Sequence, residues 1–294
     1  MVGRNIRESA PQGITLIAPT RAELDVTDPA AVLAAMSAAK ADFVIHSAGR
    51  VGGIAANMAD PAGFLSQNLR MGLAVLEAAD MLGIPCLNLA SSCIYPPEAP
   101  NPLREDMLLT GGLEPTNEGY ALAKLSVLRL GQYLNQAAGQ SRIKTVIACN
   151  LYGRHDHFDP FTAHLIPAVV LKVHTAKEEG GDVEIWGDGA ARREFLYAGD
   201  FAKMIWHAVA NFEQLPDIMN LGLGTDYSVL DYYKAAAEVI GWQGQFRFDT
   251  SRPVGMRRKL VDTSRQRELG FPAPMPLAQG IAETYRFFLE TRRS

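Results

Sequence analysis

The sequence predicts an α/β fold: a doubly wound, Rossmann-like parallel sheet with a smaller C-terminal α/β lobe. Three observations carry this. Short apolar runs alternate with amphipathic stretches through the first half, the pattern of parallel strands joined by crossover helices. After Asn150 the texture changes to loops rich in Gly, Pro, His and Asp with helices between them. The length, 294 residues, suits one nucleotide-binding domain plus a smaller lobe. The expected division is 1–152 for a dinucleotide-binding domain and 153–294 for a mainly substrate-binding lobe that partly interleaves with it.

The elements follow in order. Gly13 to Pro19 reads as a strand. Asp28 to Lys40 reads as an Ala-rich helix, with Asp28 as cap and Pro29 in the first turn. Phe43 to Ser47 is the next strand. Pro61 to Leu82 is a long helix stopped by Gly83 and Pro85. Cys86 to Ala90 is a strand that ends in Ser91 and Ser92. Tyr120 to Ala137 is a second long helix, and Lys144 to Cys149 another strand. In the second half, helices are expected near His164 to Lys177, Asp200 to Asn211, Ser228 to Ile240 and Pro276 to Arg292, with loops at Tyr152 to Pro160, Gly180 to Ala190 and Ser251 to Met256.

Composition narrows the function. Hydrophobic residues make up 48% and charged residues 20%, as in an ordinary globular protein. The net charge of -4, with scattered basic residues, gives no basis for nucleic-acid binding. No apolar run reaches the roughly 18 to 20 residues needed to span a bilayer. Met1 to Ala10 lacks the apolar core of a signal peptide. Three cysteines, Cys86, Cys93 and Cys149, are too few for a disulfide scaffold, and their spacing fits no metal site. A reducing cytoplasm is the expected compartment.

The chemistry concentrates at four residues. Tyr120 and Lys124 are one helical turn apart on one face. A tyrosine ionises near pH ~10, and an adjacent ammonium favours its phenolate, so the pair is suited to moving a proton to or from a carbonyl or alkoxide oxygen. Such a pair also arises by chance as a surface tyrosine beside a solvated lysine. Ser91 and Ser92 stand at the carboxyl end of a buried-type strand, where open parallel sheets bind ligands. A hydroxyl there can hydrogen-bond the oxygen that the tyrosine protonates. Cys93 is either a small buried residue or an acid–base group. His164 is similarly either structural or catalytic. Together, a cysteine and a histidine flanking a ketone can move protons on the adjacent carbons.

These residues sit in motifs that resemble the GDP-L-fucose synthase family. Its members are GDP-4-keto-6-deoxy-D-mannose epimerase-reductases, within the extended short-chain dehydrogenases. The resemblance rests on Ser-Ser-Cys-Ile-Tyr-Pro at Ser91 to Pro96, Glu-Pro-Thr-Asn-Glu at Glu114 to Glu118, Tyr120 with Lys124, and Asn-Leu-Tyr-Gly at Asn150 to Gly153. It continues through His-Leu-Ile-Pro at His164 to Pro167, Trp-Gly-Asp-Gly at Trp186 to Gly189 and Arg-Glu-Phe-Leu at Arg193 to Leu196. Val-Gly-Gly-Ile at Val51 to Ile54 belongs to the same branch.

The resemblance implies an NADPH-dependent enzyme that epimerises C3 and C5 of GDP-4-keto-6-deoxy-D-mannose and then reduces C4. Ser91, Tyr120 and Lys124 would be its reductase triad, and Cys93 and His164 its epimerisation base and acid. Gly3, Arg21, Leu89, Lys124, Asn150, Leu151 and His164 would contact NADP(H). Arg21, just past the strand at Gly13 to Pro19 (the second of the family's fold), suits a 2′-phosphate and so NADP(H) over NAD(H). Lys172, Trp186 and Arg193 would contact the GDP-sugar. By analogy the two long helices would form a four-helix interface in a homodimer. No metal, nucleic acid or membrane partner is implied.

Three departures qualify this. Lys172 stands where the family has arginine, which keeps the charge but loses bidentate geometry. Val254, in Arg-Pro-Val-Gly, replaces the aspartate of Lys-Pro-Asp-Gly. The chain begins within the family's Gly-rich motif and runs straight into a helix, so the expectation is a start codon assigned downstream of the true one, with one strand and turn absent. Competing expectations are another nucleotide-sugar enzyme of the superfamily, a 4-epimerase, 4-reductase or 4,6-dehydratase, and a non-catalytic relative lacking its cofactor loop.

Overall fold

Asp28 starts the first long helical stretch. Its carboxylate accepts the N–H groups of Ala30 and Ala31 at 2.9 and 3.2 Å, and Pro29 occupies the first turn, so donors with no intrahelical partner are satisfied. The computed structural model describes residues 1–159, 163–251 and 256–292.

The first half comprises α1 (Val2–Glu8), α2 (Pro29–Ala39), β1 (Val44–His46), α3 (Ile54–Ala59), α4 (Pro61–Leu82), β2 (Cys86–Ser91), α5 (Glu118–Ala138) and β3 (Ile143–Ala148). The second comprises β4 (Asn150–Tyr152), α6 (Leu165–Glu179), β5 (Val183–Trp186), β6 (Arg192–Arg193), β7 (Phe195–Tyr197), α7 (Ala198–Ala210), β8 (Ile218–Leu221), β9 (Tyr227–Ser228), α8 (Val229–Ile240), β10 (Phe246–Asp249), β11 (Arg258–Lys259), α9 (Ser264–Glu268) and α10 (Leu277–Thr291).

Strands β1, β2, β3 and β8 pair in that order, all parallel. Their carboxyl ends therefore lie at one edge, and Ser91 is paired with Ala148 there. Strand β2 is buried from Cys86 to Ala90, as expected of a strand covered on both faces. Helices α4 and α5 pack on each other and α5 on the sheet. A Cβ on Gly72 would stand 2.2 Å from Val127 Cγ2, so the missing side chain is what allows the two helices to approach. Helix α4 stops at Gly83, which takes the left-handed φ of 68° that closes the last turn. Helices α1 and α7 pack together, with Trp206 Nε1 donating to Ile6 O at 2.9 Å, and share the main core with the strands. Each large apolar side chain buried there, such as Phe201 or Ile205, contributes about 1.5–3 kcal/mol.

A second core gathers Tyr152, Ile166, Val170, Ile185, Phe195, Tyr232 and Ile281 from α6, α8, α10 and the short strands. Those strands make three small sheets: β10 with β5, β11-β6-β9, and β4 with β7. Helix α7 and strand β8 lie in the second half of the chain yet pack into the first core. The chain thus crosses between the cores more than once.

The strand expected at Gly13 to Pro19 is absent: these residues form no strand. Ile14, Leu16 and Ile17 are exposed, Ile17 to 61%. The apolar alternation is real, but a strand also needs a neighbour for its backbone N–H and C=O groups. Among the described residues none lies beside this segment. The helix expected at the very start of the chain is α1.

Candidate active site

Four expected residues meet at the carboxyl end of β2. Ser91 ends that strand, and its Oγ accepts the Cys93 N–H at 3.5 Å, capping the short turn Ser92–Ile94. The turn carries Cys93 into the interior, where it is 6% exposed. Tyr120 enters from the first turn of α5, partly buried. Cys93 and the Ser91 hydroxyl are the neighbours that act on its phenol. Lys124 lies one turn along, 7% exposed, and donates from Nζ to Leu89 O at 3.0 Å. Gly49 lies beside it: a Cβ there would stand 3.6 Å from Lys124 Nζ, an ordinary contact.

Burial dominates the electrostatics. It pushes the Tyr120 phenol above its ordinary value; a negative charge on Cys93 would push further, and the Ser91 hydroxyl opposes. Lys124 Nζ lies 6.0 Å from the tyrosine ring centroid. The expected lowering of the phenol by an adjacent ammonium is therefore corrected: desolvation wins and Tyr120 holds its proton. Burial also lowers Lys124 to about 8 and His46, with Lys124 beside it, to about 3. The Cys93 thiol is raised by burial, against the opposing pull of Lys259, Ser91 and Lys124.

His164 flanks the N-terminus of α6. Burial lowers its pKa, Asp156 opposes, and His157 adds to the lowering. Its electrostatic neighbours among the described residues are those two rather than Cys93 or Tyr120. Leu89 enters through its carbonyl, which receives Lys124. Asn150 opens β4 and donates to Glu194 O at 3.1 Å. Leu151 follows it and packs on the main core.

Beside the carboxyl end of β1 lies a cavity of about 640 Å³ lined by Arg21, Leu24, Asp25, Gly49, Arg50 and Asp60 among others. Arg50 is paired with Asp60 at 2.6 Å. Gly3, in the first turn of α1, has Ser47 Oγ 3.3 Å from where its Cβ would be. Arg21 and Arg50 line this cleft alongside Asp25 and Asp60, and an arginine can pair with a phosphate of a nucleotide cofactor.

The expected substrate residues lie on the second lobe. Lys172 Nζ donates to Glu184 O at 3.1 Å and sits 5.3 Å from the Trp186 ring centroid. Trp186 is 50% exposed at the end of β5, and its Nε1 donates to Glu184 Oε1 at 3.1 Å. Arg193, on β6, is lowered by burial, with Tyr232 and Glu114 opposing. Val254 lies outside the described residues.

The pattern of the NAD dependent epimerase/dehydratase family matches residues 1–222. The chain belongs to this family. Its curated relatives within the epimerase/dehydratase group include a GDP-L-colitose synthase from Yersinia pseudotuberculosis, 45% identical over 100% of this chain and 96% of that one. A GDP-L-fucose synthase from Azorhizobium caulinodans is 47% identical over 98% of this chain and 93% of that one. Among solved structures, a GDP-L-fucose synthetase from Naegleria fowleri bound to NADP superposes with a TM-score of 0.90 at 26% identity, covering 100% and 91% of the two chains. A GDP-6-OMe-4-keto-L-xylo-heptose reductase from C. jejuni gives 0.91 at 27% identity, covering 99% and 95%.

Two further charged groups lie near the candidate site: Lys259, which no motif marked, and Glu114, which stood in Glu-Pro-Thr-Asn-Glu without a role of its own. Lys259 acts on Cys93 and Arg193, and burial lowers its amine. The charge of Glu114 acts on both Lys259 and Arg193. The only sequence signal for Lys259 was its place after Arg-Pro-Val-Gly. That a two-residue strand would set it in register with Arg193 was not readable.

Proposed function

We propose that this chain converts GDP-4-keto-6-deoxy-D-mannose to GDP-L-fucose, epimerising C3 and C5 and then reducing C4 with NADPH. At the coarser level the chain is a GDP-sugar epimerase/reductase, which the names of its relatives support. The observation that carries the finer reading is the meeting of Ser91, Cys93, Tyr120 and Lys124 at the end of β2.

Bound NADPH would supply the hydride; Arg21, Gly3, Leu89, Asn150, Leu151, His164 and Lys124 are the residues that would hold it. Ser91 donates a hydrogen bond to the C4 oxygen and orients it. Tyr120, held protonated by burial, gives that oxygen its proton. Lys124, whose ammonium donates to the Leu89 carbonyl, would hold the ribose of the bound cofactor. Cys93 and His164 remove and return the C3 and C5 protons, which the neighbouring C4 ketone acidifies. Trp186, Arg193 and Lys172 hold the GDP moiety. We place the enzyme in the cytoplasm as a homodimer; among the described residues no helix is long and apolar enough to cross a membrane.

The colitose-named relative favours a second reading, GDP-L-colitose as the product. Incubation of the protein with GDP-4-keto-6-deoxymannose and NADPH tests the first. Oxidation of NADPH with GDP-L-fucose as the product identified by NMR is expected. Absence of both from a folded, NADPH-binding protein would sink that reading and leave the second.

A further inference from the structure

We propose that Glu194 is a positioning residue for nucleotide-sugar capture, its buried carboxylate holding Arg193 on β6 and Lys259 on β11 in their places at the cleft. The proposal rests on reading that cleft as the GDP-sugar site.

Glu194 is 1% exposed and lies between Arg193 and the core residue Phe195. Its Oε2 accepts the Val261 N–H at 2.9 Å, two residues after Lys259. Its Oε1 accepts the Gly224 N–H at 2.8 Å, in the turn that follows β8. Its backbone carbonyl accepts Asn150 Nδ2 at 3.1 Å, from β4. One side chain therefore joins the cation-bearing strands to the end of the main sheet. The fit is close: a Cβ on Gly222 would stand 2.4 Å from Glu194 Oε1. Arg193 and Lys259 are paired in register across β6 and β11, and the charge of Lys259 acts on Cys93. A buried carboxylate is costly unless hydrogen-bonded, and here the amide donors are those of the segments that must be placed.

The ionised form is the one that fits. Two backbone N–H groups donate to the carboxylate, one to each oxygen, and such bonds are stronger to the ionised form than to the protonated one. Burial pushes Glu194 up to about 7, with the amides of Val261, Gly224 and Leu223 opposing and Asp226 adding to the rise. The titratable groups facing it are Asp226, Cys149 and Tyr232. Asp226, though burial would raise it, is held low by Arg258 and Arg192. Burial raises Cys149 and Tyr232, so neither ionises near neutral pH. As pH falls through about 7, the staple is protonated and capture weakens. The titratable cations of the cleft, Lys259 and His164, gain charge on acidification and would strengthen binding of a diphosphate. The predicted sign is therefore the opposite of the one those groups would give.

The test is calorimetric titration with GDP-mannose, whose diphosphate is a diester and has no ionisation near neutrality. Wild-type protein is expected to bind roughly tenfold more weakly at about pH 6 than above about pH 8, because only the ionised fraction captures. Glu194→Gln should bind about tenfold more weakly at the higher pH and lose the weakening on acidification, since one donor pairing is broken. Glu194→Asp, which keeps the charge but not the reach, should fall between and keep the slope. A wild-type affinity that is flat with pH, or a Glu194→Gln variant that binds like wild type, would overturn the proposal alone. The wild-type profile decides even if both variants fail to fold. No binding by wild-type protein at any pH would overturn the GDP-sugar reading as well.

Discussion

Tyr120 and Lys124 share a helix face, but their polar ends serve different neighbours. The phenol is governed by burial, Cys93 and Ser91, whereas the ammonium is tied to the Leu89 carbonyl. This separation predicts separable steps. Tyr120→Phe should lower NADPH oxidation by about 10²–10⁴-fold while leaving deuterium exchange at C3 and C5 of the ketosugar intact. Cys93→Ser should do the reverse to exchange, and NMR in D₂O measures it. Equal loss of both activities in Tyr120→Phe would refute the division of labour. Cys93 rests as a thiol and His164 as a neutral imidazole, both because of burial. The resting proton thus sits on the cysteine, which must lose it before acting as a base, so exchange should speed up as pH rises. Lys124, lowered to about 8, gives a limb of the other sign. Its charged fraction falls as pH rises through that value, and the reduction rate should fall with it. Lys124→Arg stays charged and should abolish that alkaline limb, whatever it does to the plateau; a limb that persists unchanged in this variant would assign it to another group.

Helices α4 and α5 hold the site in place, and their contact depends on Gly72. Gly72→Val should destabilise the protein by about 1–3 kcal/mol, since a side chain there meets Val127 in a packed interface. A thermal melt indistinguishable from wild type would mean the helices can part without loss. At this scale the sequence was legible where local signals agreed. Asp28-Pro29 and Leu82-Gly83 marked helix ends, and α4 runs from Pro61 to Leu82 as the spacing predicts. Ser91, Cys93, Tyr120 and Lys124 were readable because two local motifs, a strand end and a helix turn, supplied all four. Gly13 to Pro19 failed because alternation reports one face, whereas a strand needs a partner that no local pattern specifies. Strands β6 and β11 were unreadable for a related reason. Two-residue strands have no periodicity, and the side chains they set side by side, Arg193 and Lys259, are far apart in the chain. Glu194 was quoted within a motif, but its partners at Gly224 and Val261 are tertiary.

At the scale of the whole molecule, the outer faces of α4 and α5 remain. Their inner faces are consumed by the sheet and by each other. On α5, Leu122, Ser126, Arg129 and Tyr133 recur at helical spacing on one side, with Leu122 42% and Tyr133 56% exposed. Arg129 stacks on Tyr133 at 5.2 Å and donates to its hydroxyl at 3.2 Å, a flat and partly preorganised surface. On α4, Arg70, Glu77 and Met81 face outward, with Met81 72% exposed. A twofold axis through this surface would set four helices together, each patch facing its own copy. A stable dimer needs about 800 Å² buried per partner, which two helices of this length can supply. Light scattering of the wild-type protein should therefore give twice the 32.0 kDa chain mass. Leu122→Glu with Tyr133→Glu should shift it to the monomer mass with an unchanged circular-dichroism spectrum, because like charges would then face each other across the axis. A wild-type protein at monomer mass under these conditions would dismiss the dimer. A double variant that stays dimeric would move the interface away from these helices.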